Sequence, residues 1–372
     1  MFDRRLEKII TNKLNRKKAI ILVGARQVGK TTLLKKILNN HDYLFLDGDD
    51  PTSRKLLTNP STEEIKAIIG KHKYIFLDEA QRIENIGITL KIMIDQFTET
   101  QLLVSGSSSF DLGNSLNEPL TGRKWEYELY PISWDEFENK VGFIRAEQQL
   151  ENRLLYGFYP DVINNPGEEV EILKELVNSY LYRDILAYSG LRKPEILQEL
   201  VQSLALQIGS EVNYNELSSL IGVSKNTIQS YIEILEKGFV IFRLRSFSRN
   251  LRNEIKKSRK IYFWDNGVRN TIIGNFNQLD LREDKGSLWE NFLVSERLKE
   301  NKYLKSNVAS YFWRTKQQQE IDYLEVKGND IFAYEFKWNK NKAKIPITFT
   351  NNYKTEIKLI NRKNFREFVK PE

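Results

Sequence analysis

Cysteine is absent from all 372 residues of the chain. Disulfides and thiolate metal sites are thereby excluded. Histidine is nearly absent: His41 and His72 are the only two. A zinc centre is therefore not expected, and any metal should be Mg²⁺ or a similar ion held by oxygens. No apolar run approaches the roughly 20 residues needed to span a bilayer. The opening residues, M-F-D-R-R-L-E-K, lack the apolar core of a secretory signal. These absences lead to the expectation of a cytoplasmic protein with no membrane partner. What is plentiful is charge: 57 Lys and Arg against 50 Asp and Glu, a net +7. That balance permits contact with nucleic acid or an anionic surface and requires neither. The length suggests two or three domains.

The rest of the chain is organised around Ile20–Thr32, I-I-L-V-G-A-R-Q-V-G-K-T-T. An aliphatic run enters Gly24, and Gly29, Lys30 and Thr31 complete G-x-x-x-x-G-K-[ST], the phosphate-binding P-loop. Glycines let the backbone curl so that successive N–H groups face an anion. The loop Gly24, Ala25, Arg26, Gln27, Val28, Gly29, Lys30, Thr31 and Thr32 is thus the expected nucleotide cradle. A helix starting near Lys30 adds its dipole. Lys30 reaches the β- and γ-phosphates, and Thr31 offers a hydroxyl to Mg²⁺.

Tyr74–Arg82 reads Y-I-F-L-D-E-A-Q-R, an apolar strand ending in two acids. Asp78 can hold the Mg²⁺ shell, and Glu79 can polarise the attacking water as general base. The competing reading is a strand running into a polar helix start. Gln101–Ser105 is a further apolar strand leading into Gly106 and three serines, where Ser107 is the candidate sensor of the γ-phosphate; a serine-rich turn is the alternative. Arg123, on the turn Leu120–Arg123, can stabilise transition-state charge in cis or in a neighbouring subunit, or it can be a solvated arginine. Coarser expectations are a helix over residues 2–18, a strand at Tyr43–Leu46 and a helix over Lys55–Ile69.

G-A-R-Q-V-G-K-T-T, L-D-E-A-Q-R, S-G-S-S-S, L-T-G-R and Y-P-I-S-W-D-E-F (residues 24–32, 77–82, 105–109, 120–123 and 130–137) together resemble a large prokaryotic family of AAA-superfamily ATPases. The resemblance runs through most of the chain. It implies an AAA-like ATPase core, a helix-turn-helix segment and a nuclease-like C-terminal fold, and it supplies no cellular role.

Beyond the core, Leu150–Ser189 reads as a helical joint interrupted at Tyr156–Pro160. Glu195–Ile208 and Tyr214–Ile221 are amphipathic helices, and Ser224 caps a third that runs through Glu236. Phe239–Arg245 and Lys260–Trp264 alternate like the strands of a wing. Between Arg243 and Lys260, basic residues are opposed only by Glu254. This order is a winged-helix signature, with Lys225, Asn226, Gln229, Arg249 and Arg252 as DNA-facing candidates. The alternative is a winged helix used for packing or protein contact.

In the last hundred residues the helix Ser287–Lys299 carries Glu290. Strands follow at Ser310–Arg314, Gln319–Lys327 and Asp330–Trp338. Glu335 and Lys337 share one face of a strand by period-two alternation, with Asp322 on the strand before. This set resembles the D…E-x-K core of the restriction-endonuclease-like superfamily. The resemblance implies a second metal site at Asp322 and Glu335, with Glu290 and Lys337 beside it. The alternative is a cross-strand charge pair on an exposed face. Ile345–Thr350 and Lys354–Ile360 are candidate closing strands.

The expected fold class is α/β: a P-loop NTPase (AAA-like) domain over residues 1–140, a helical connector over 141–190, a winged helix over 191–265 and a small restriction-endonuclease-like α/β domain over 266–372. The expected function is Mg²⁺-dependent ATP hydrolysis coupled to DNA binding, with nuclease action left open. The alternative is a nucleotide-switched regulatory or scaffold protein whose later domains bind protein. ATP and Mg²⁺ are the expected cofactors and DNA the expected partner, with a protein partner and a homo-oligomer also open.

Overall fold

The computed structural model of the chain describes residues 1–106, 119–179, 194–248, 259–342 and 346–370. They form two compact units: Met1–Ile132 with Lys237–Phe239, and Ser133–Glu236 with Val240–Glu372.

The first unit is built on five parallel strands: β1 (Ala19–Gly24), β2 (Tyr43–Asp47), β3 (Tyr74–Asp78), β4 (Gln101–Gly106) and β5 (Lys124–Leu129). They lie in the order β2-β3-β4-β1-β5. Every residue of β1 and β4 is buried. That is why these strands read as unbroken apolar runs: helices cover both faces of a parallel sheet. The order sets the site, because β4 inserts between β1 and β3. The C-terminal tips of all three therefore stand side by side, where ligands bind in such sheets.

Two local expectations change. The helix expected over residues 2–18 is confined to Arg5–Thr11, and Asn15 and Lys17 adopt left-handed φ values of 59° and 55°. The single helix expected over Lys55–Ile69 is two, Pro51–Leu57 and Thr62–Ile69. Pro60 disfavours helical geometry in the residue before it. Ser61 then starts the second helix with a capping box closed by Glu64.

The second unit carries a seven-stranded sheet of β6 (Glu211–Val212), β7 (Ile241–Ser246), β8 (Arg259–Phe263), β9 (Ala309–Arg314), β10 (Glu320–Lys327), β11 (Asp330–Phe336) and β12 (Ile357–Ile360). Its order is β12-β11-β10-β9-β7-β8-β6. The hairpin β7–β8 and the meander β9–β11 join through a parallel pair, Arg245 opposite Tyr311 and Ser246 opposite Phe312. Strands expected in separate modules thus share one sheet. The free edge of β7 would otherwise leave its backbone donors and acceptors unpaired. Ile347–Tyr353 is a helix started at Pro346 rather than a strand, and Phe349 anchors it in the core against Trp313.

Trp134 is fully buried among Phe137, Phe158, Phe292 and Phe365. Its backbone N–H donates to Glu296 Oε2 at 2.6 Å. This aromatic cluster draws the segment after Ser133 into the second unit. No helix among the described residues is long and apolar enough to cross a membrane.

Candidate active site

The P-loop leaves β1 at Gly24, whose partner in β5 is Leu129. A Cβ at Gly24 would collide with the Leu129 carbonyl oxygen, so only glycine lets the two strands close up there. The loop turns through Gln27 at φ 62° and Gly29 at φ 94°, and the helix Lys30–Leu38 begins immediately. Its first-turn N–H groups have no intrahelical partners and face the loop. Ala25 and Val28 are buried beneath the turn, Arg26 is half-buried, and Gln27 and Thr32 are exposed.

Lys30 is 5% exposed. Its ammonium donates to the carbonyls of Gly24 at 3.0 Å and Ala25 at 2.8 Å. Burial pushes its pKa down to about 8, against the opposing charges of Glu79 and Asp78, and Arg26 adds to the depression. Thr31 Oγ1 donates to Asp78 Oδ2 at 2.7 Å, which joins the P-loop helix to the tip of β3. The second oxygen of Asp78 accepts from the buried Ser105 hydroxyl on β4 and from the Glu79 N–H at 3.2 Å. Glu79 sits in left-handed backbone at φ 45°, and its carboxylate accepts from Gln81 Nε2. Thr31 and Asp78 thus put hard oxygen ligands beside a buried ammonium, with the Glu79 carboxylate next to them. This donor set fits Mg²⁺ and an anion together.

Three contributors escaped the sequence reading. Ser105 meets Asp78 only because β4 lies beside β3. Gly48 donates its N–H to the Asp78 carbonyl at 2.9 Å, and a Cβ there would collide with the Glu79 carbonyl. Arg4 is buried and donates to the Val28 carbonyl at 2.8 Å and the Tyr130 carbonyl at 2.6 Å. It ties the loop at Val28 to the segment that follows β5. Its only signal in the sequence is a charge in an otherwise amphipathic start.

Ser107 lies outside the described residues. Arg123 stands apart from the site. Its carbonyl accepts from the Ala19 N–H at 3.0 Å, at the beginning of β1. Five residues of strand, roughly 17 Å, separate that end from Gly24. Its guanidinium pairs with Asp95 at 2.6 Å. β5 runs parallel to β1, so a residue preceding β5 falls at the far edge of the sheet. That geometry removes the cis role for Arg123.

The second unit gathers the other candidates. One step beyond the paired Tyr323 and Tyr334, Asp322 and Glu335 stand opposite each other on β10 and β11, on one face of the sheet. Asp322 Oδ2 accepts from the Phe336 N–H at 2.7 Å. Lys337 Nζ lies 2.7 Å from Glu335 Oε1 and 4.0 Å from Asp322 Oδ2. Burial, then the neighbouring charges of Glu290 and Glu335, pushes the Asp322 carboxyl well above its usual range. Burial also raises Glu335, against the pull of Lys337. Glu290, on the helix Lys285–Tyr303, is held by Lys260 at 2.9 Å and by the Tyr262 hydroxyl at 2.6 Å. Among the described residues, no three His, Cys, Asp or Glu side chains are grouped to hold a metal ion. Glu335 Oε2 is nonetheless a buried carboxylate oxygen with no hydrogen-bond partner, an orphan that a cation shared with Asp322 would satisfy.

Lys225, Asn226 and Gln229 are exposed along the helix Lys225–Lys237. Gln229 Nε2 donates to Glu233 at 3.1 Å. Arg249 and Arg252 lie outside the described residues, as does Tyr180–Ile185 of the expected connector.

Comparison with known proteins agrees with the P-loop fold of the first unit. Residues 16–138 match an AAA domain family. Residues 147–279 and 285–366 each match a domain of unknown function, DUF8612 and DUF4143. An uncharacterized protein of Mycobacterium tuberculosis is 28% identical over 330 residues, 87% of this chain and 71% of its own length. An uncharacterized protein of Methanocaldococcus jannaschii is 24% identical, with 95% and 81% covered. Among solved structures, a Walker-type ATPase of Pyrococcus abyssi superposes with a TM-score of 0.51 at 15% identity, over 73% of this chain and 96% of that one. The chain is an α/β protein with a P-loop ATPase fold.

Proposed function

We propose that the chain is a Mg²⁺-dependent ATP hydrolase whose second unit engages DNA. The observation that carries the ATPase reading is the 2.7 Å bond from Thr31 Oγ1 to Asp78 Oδ2. It puts the nucleotide loop and the acidic strand tip in register, with Lys30 and Glu79 at the same edge of the sheet. Thr31 and Asp78 would hold Mg²⁺, which supplies charge neutralisation between the phosphates when bound. Lys30 exchanges the carbonyls of Gly24 and Ala25 for the phosphate oxygens. Glu79 takes the proton of the attacking water, whose oxygen bonds to the γ-phosphorus. The bond to the bridging oxygen breaks, and ADP leaves with that electron pair. Gln81 holds one oxygen of Glu79, which leaves the other for the water. Ser105 fixes Asp78 from the neighbouring strand. Any role of Arg123 belongs to a neighbouring subunit.

The test is ATP hydrolysis by the full chain with and without Mg²⁺. Wild type is active only with the metal, and Lys30→Ala loses at least about a hundredfold in kcat/KM, because a charge aimed at the developing phosphate charge is removed. Metal-independent hydrolysis, or full activity in Lys30→Ala, would overturn the reading.

The DNA reading is supported by the order helix Pro194–Leu206, β6, helix Tyr214–Ile221, helix Lys225–Lys237, β7 and β8, with β6 pairing β8 antiparallel. We infer a winged helix presenting Lys225, Asn226 and Gln229. Residues 285–360 supply a helix, three antiparallel strands, a helix and a fourth strand parallel to the third. With the Asp322, Glu335 and Lys337 grouping, this supports a restriction-endonuclease-like domain in which Asp322 and Glu335 would hold a divalent cation. A nucleotide-switched scaffold is the outcome if DNA binding fails.

A further inference from the structure

The carboxylates beside Asp322 are divided in two by the chain's own cations. In one half, Lys260 on β8 is sandwiched between two glutamates. Its Nζ lies 2.9 Å from Glu290 Oε1 and 2.5 Å from Glu320 Oε1, and its side chain is 2% exposed. Glu290 Oε1 also accepts from the Tyr262 hydroxyl, and the other oxygen of Glu320 faces Arg314 Nε at 3.5 Å. In the other half, Lys337 lies 2.7 Å from Glu335 Oε1 and only at the margin of an ion pair, 4.0 Å, from Asp322 Oδ2, and Glu335 Oε2 is buried without a hydrogen-bond partner.

The two halves differ in what they can still accept. An ammonium already sits between Glu290 and Glu320, and a divalent ion placed there would meet a buried like charge at close range. Between Asp322 and Glu335 an acceptor is still open, and the neighbouring ammonium stands to one side, 4.0 Å from Asp322. The position of Lys260 is fixed by three elements at once: its own strand β8, the helix Lys285–Tyr303 that carries Glu290, and β10 that carries Glu320. It is not a side chain that rotates freely into solvent.

We propose that Lys260 is a built-in counter-ion that limits this cluster to one divalent cation, held by Asp322 and Glu335, and keeps Glu290 out of its coordination. The proposal rests on the reading of Asp322 and Glu335 as cation ligands. It makes Lys260 a positioning residue, whose role is to fix how many cations the cluster takes. Without Lys260, Glu290 and Glu320 would face each other with no cation between them, and a second divalent ion would be drawn into that gap.

The experiment counts Mn²⁺ bound to the full chain without nucleotide, by electron paramagnetic resonance of the free ion. An Asp78→Asn background removes any contribution from the P-loop. The background protein should bind one Mn²⁺, and adding Asp322→Asn should weaken that binding at least tenfold. Lys260→Met should bind two. Glu290→Gln should leave the single site within about threefold of its starting affinity. Absence of Mn²⁺ binding in the background protein would overturn the assignment of Asp322 and Glu335 as ligands. One Mn²⁺ in a folded Lys260→Met, or two in the background protein, would overturn the role of Lys260. A tenfold loss in Glu290→Gln would overturn it as well, and that variant decides the matter should Lys260→Met fail to fold.

Discussion

Lys30 carries a charge that the apoprotein holds at a cost. With its pKa lowered to about 8 by burial, part of the population is neutral at pH 8.5. A bound triphosphate adds negative charge beside the ammonium and raises its pKa. ATP binding at pH 8.5 should therefore take up a proton. Calorimetry in buffers of different ionisation enthalpy should show binding heats that vary with the buffer, and Lys30→Arg should abolish the variation. The stability linkage has the opposite sense to a paired lysine. Between about 8 and the unfolded value of 10.5 the unfolded chain holds more protons, so this group adds stability as pH rises through that window, and its burial cost is felt in full below it. The residues of the loop were legible because phosphate binding needs contiguous backbone, and contiguity is what a sequence displays. Ser105, Gly48 and Arg4 were not legible, because each meets the site through strand order or a long-range carbonyl. Arg123 was legible as an arginine on a turn, but the end of the sheet on which it falls is not written locally.

At the scale of elements, β1 to β4 were readable from their apolar runs, whereas β5, K-W-E-Y-E-L, alternates charged and aromatic residues and was not read as a strand. The helix break before Ser61 was missed as well, although Ser61, like Ser133, starts its helix with an S-x-x-E capping box. Pairing was not readable. The junction of β1 with β5 depends on Gly24 lying against the Leu129 carbonyl. Gly24→Ala should force those strands apart, at a cost of more than about 2 kcal/mol, the scale of overpacking, and should abolish ATP binding. Urea denaturation and nucleotide titration check both effects. Gly29 has room for a methyl, with Arg4 Nη1 the nearest atom at 3.9 Å. Gly29→Ala should fail instead through its φ of 94°, with a smaller stability loss of about 1 kcal/mol. Equal stability losses for the two would contradict the packing account. The helix at Ile347–Tyr353 reads as a strand in sequence because its β-branched and aromatic residues favour extended chain. The burial of Phe349 overrides that preference.

For the whole molecule, the sequence separates a hairpin from a meander that the fold merges, since among the described residues only the β7–β9 pair joins them and register between distant strands leaves no local mark. The consequence is that the surface of the helix Lys225–Lys237 and the carboxylate cluster belong to one compact unit. If that unit engages DNA, affinity should fall steeply with salt. Replacing Lys225, Arg249 and Arg252 by alanine should flatten the slope of log K against log salt by up to about one unit for each phosphate no longer neutralised. Titration of a labelled duplex across salt concentrations measures this. An unchanged slope would mean that these cations face solvent and that the second unit serves a protein partner.

The central claim is that Glu79, strained at φ 45° beside Asp78, is the base that activates water against a phosphate held by Lys30 and Thr31. Steady-state hydrolysis and ATP affinity measured side by side for wild type and Glu79→Gln test it most directly. The account predicts affinity within about threefold of wild type and a kcat lower by about 10²–10⁴, the usual contribution of a general base. Equal turnover in the two proteins would contradict it.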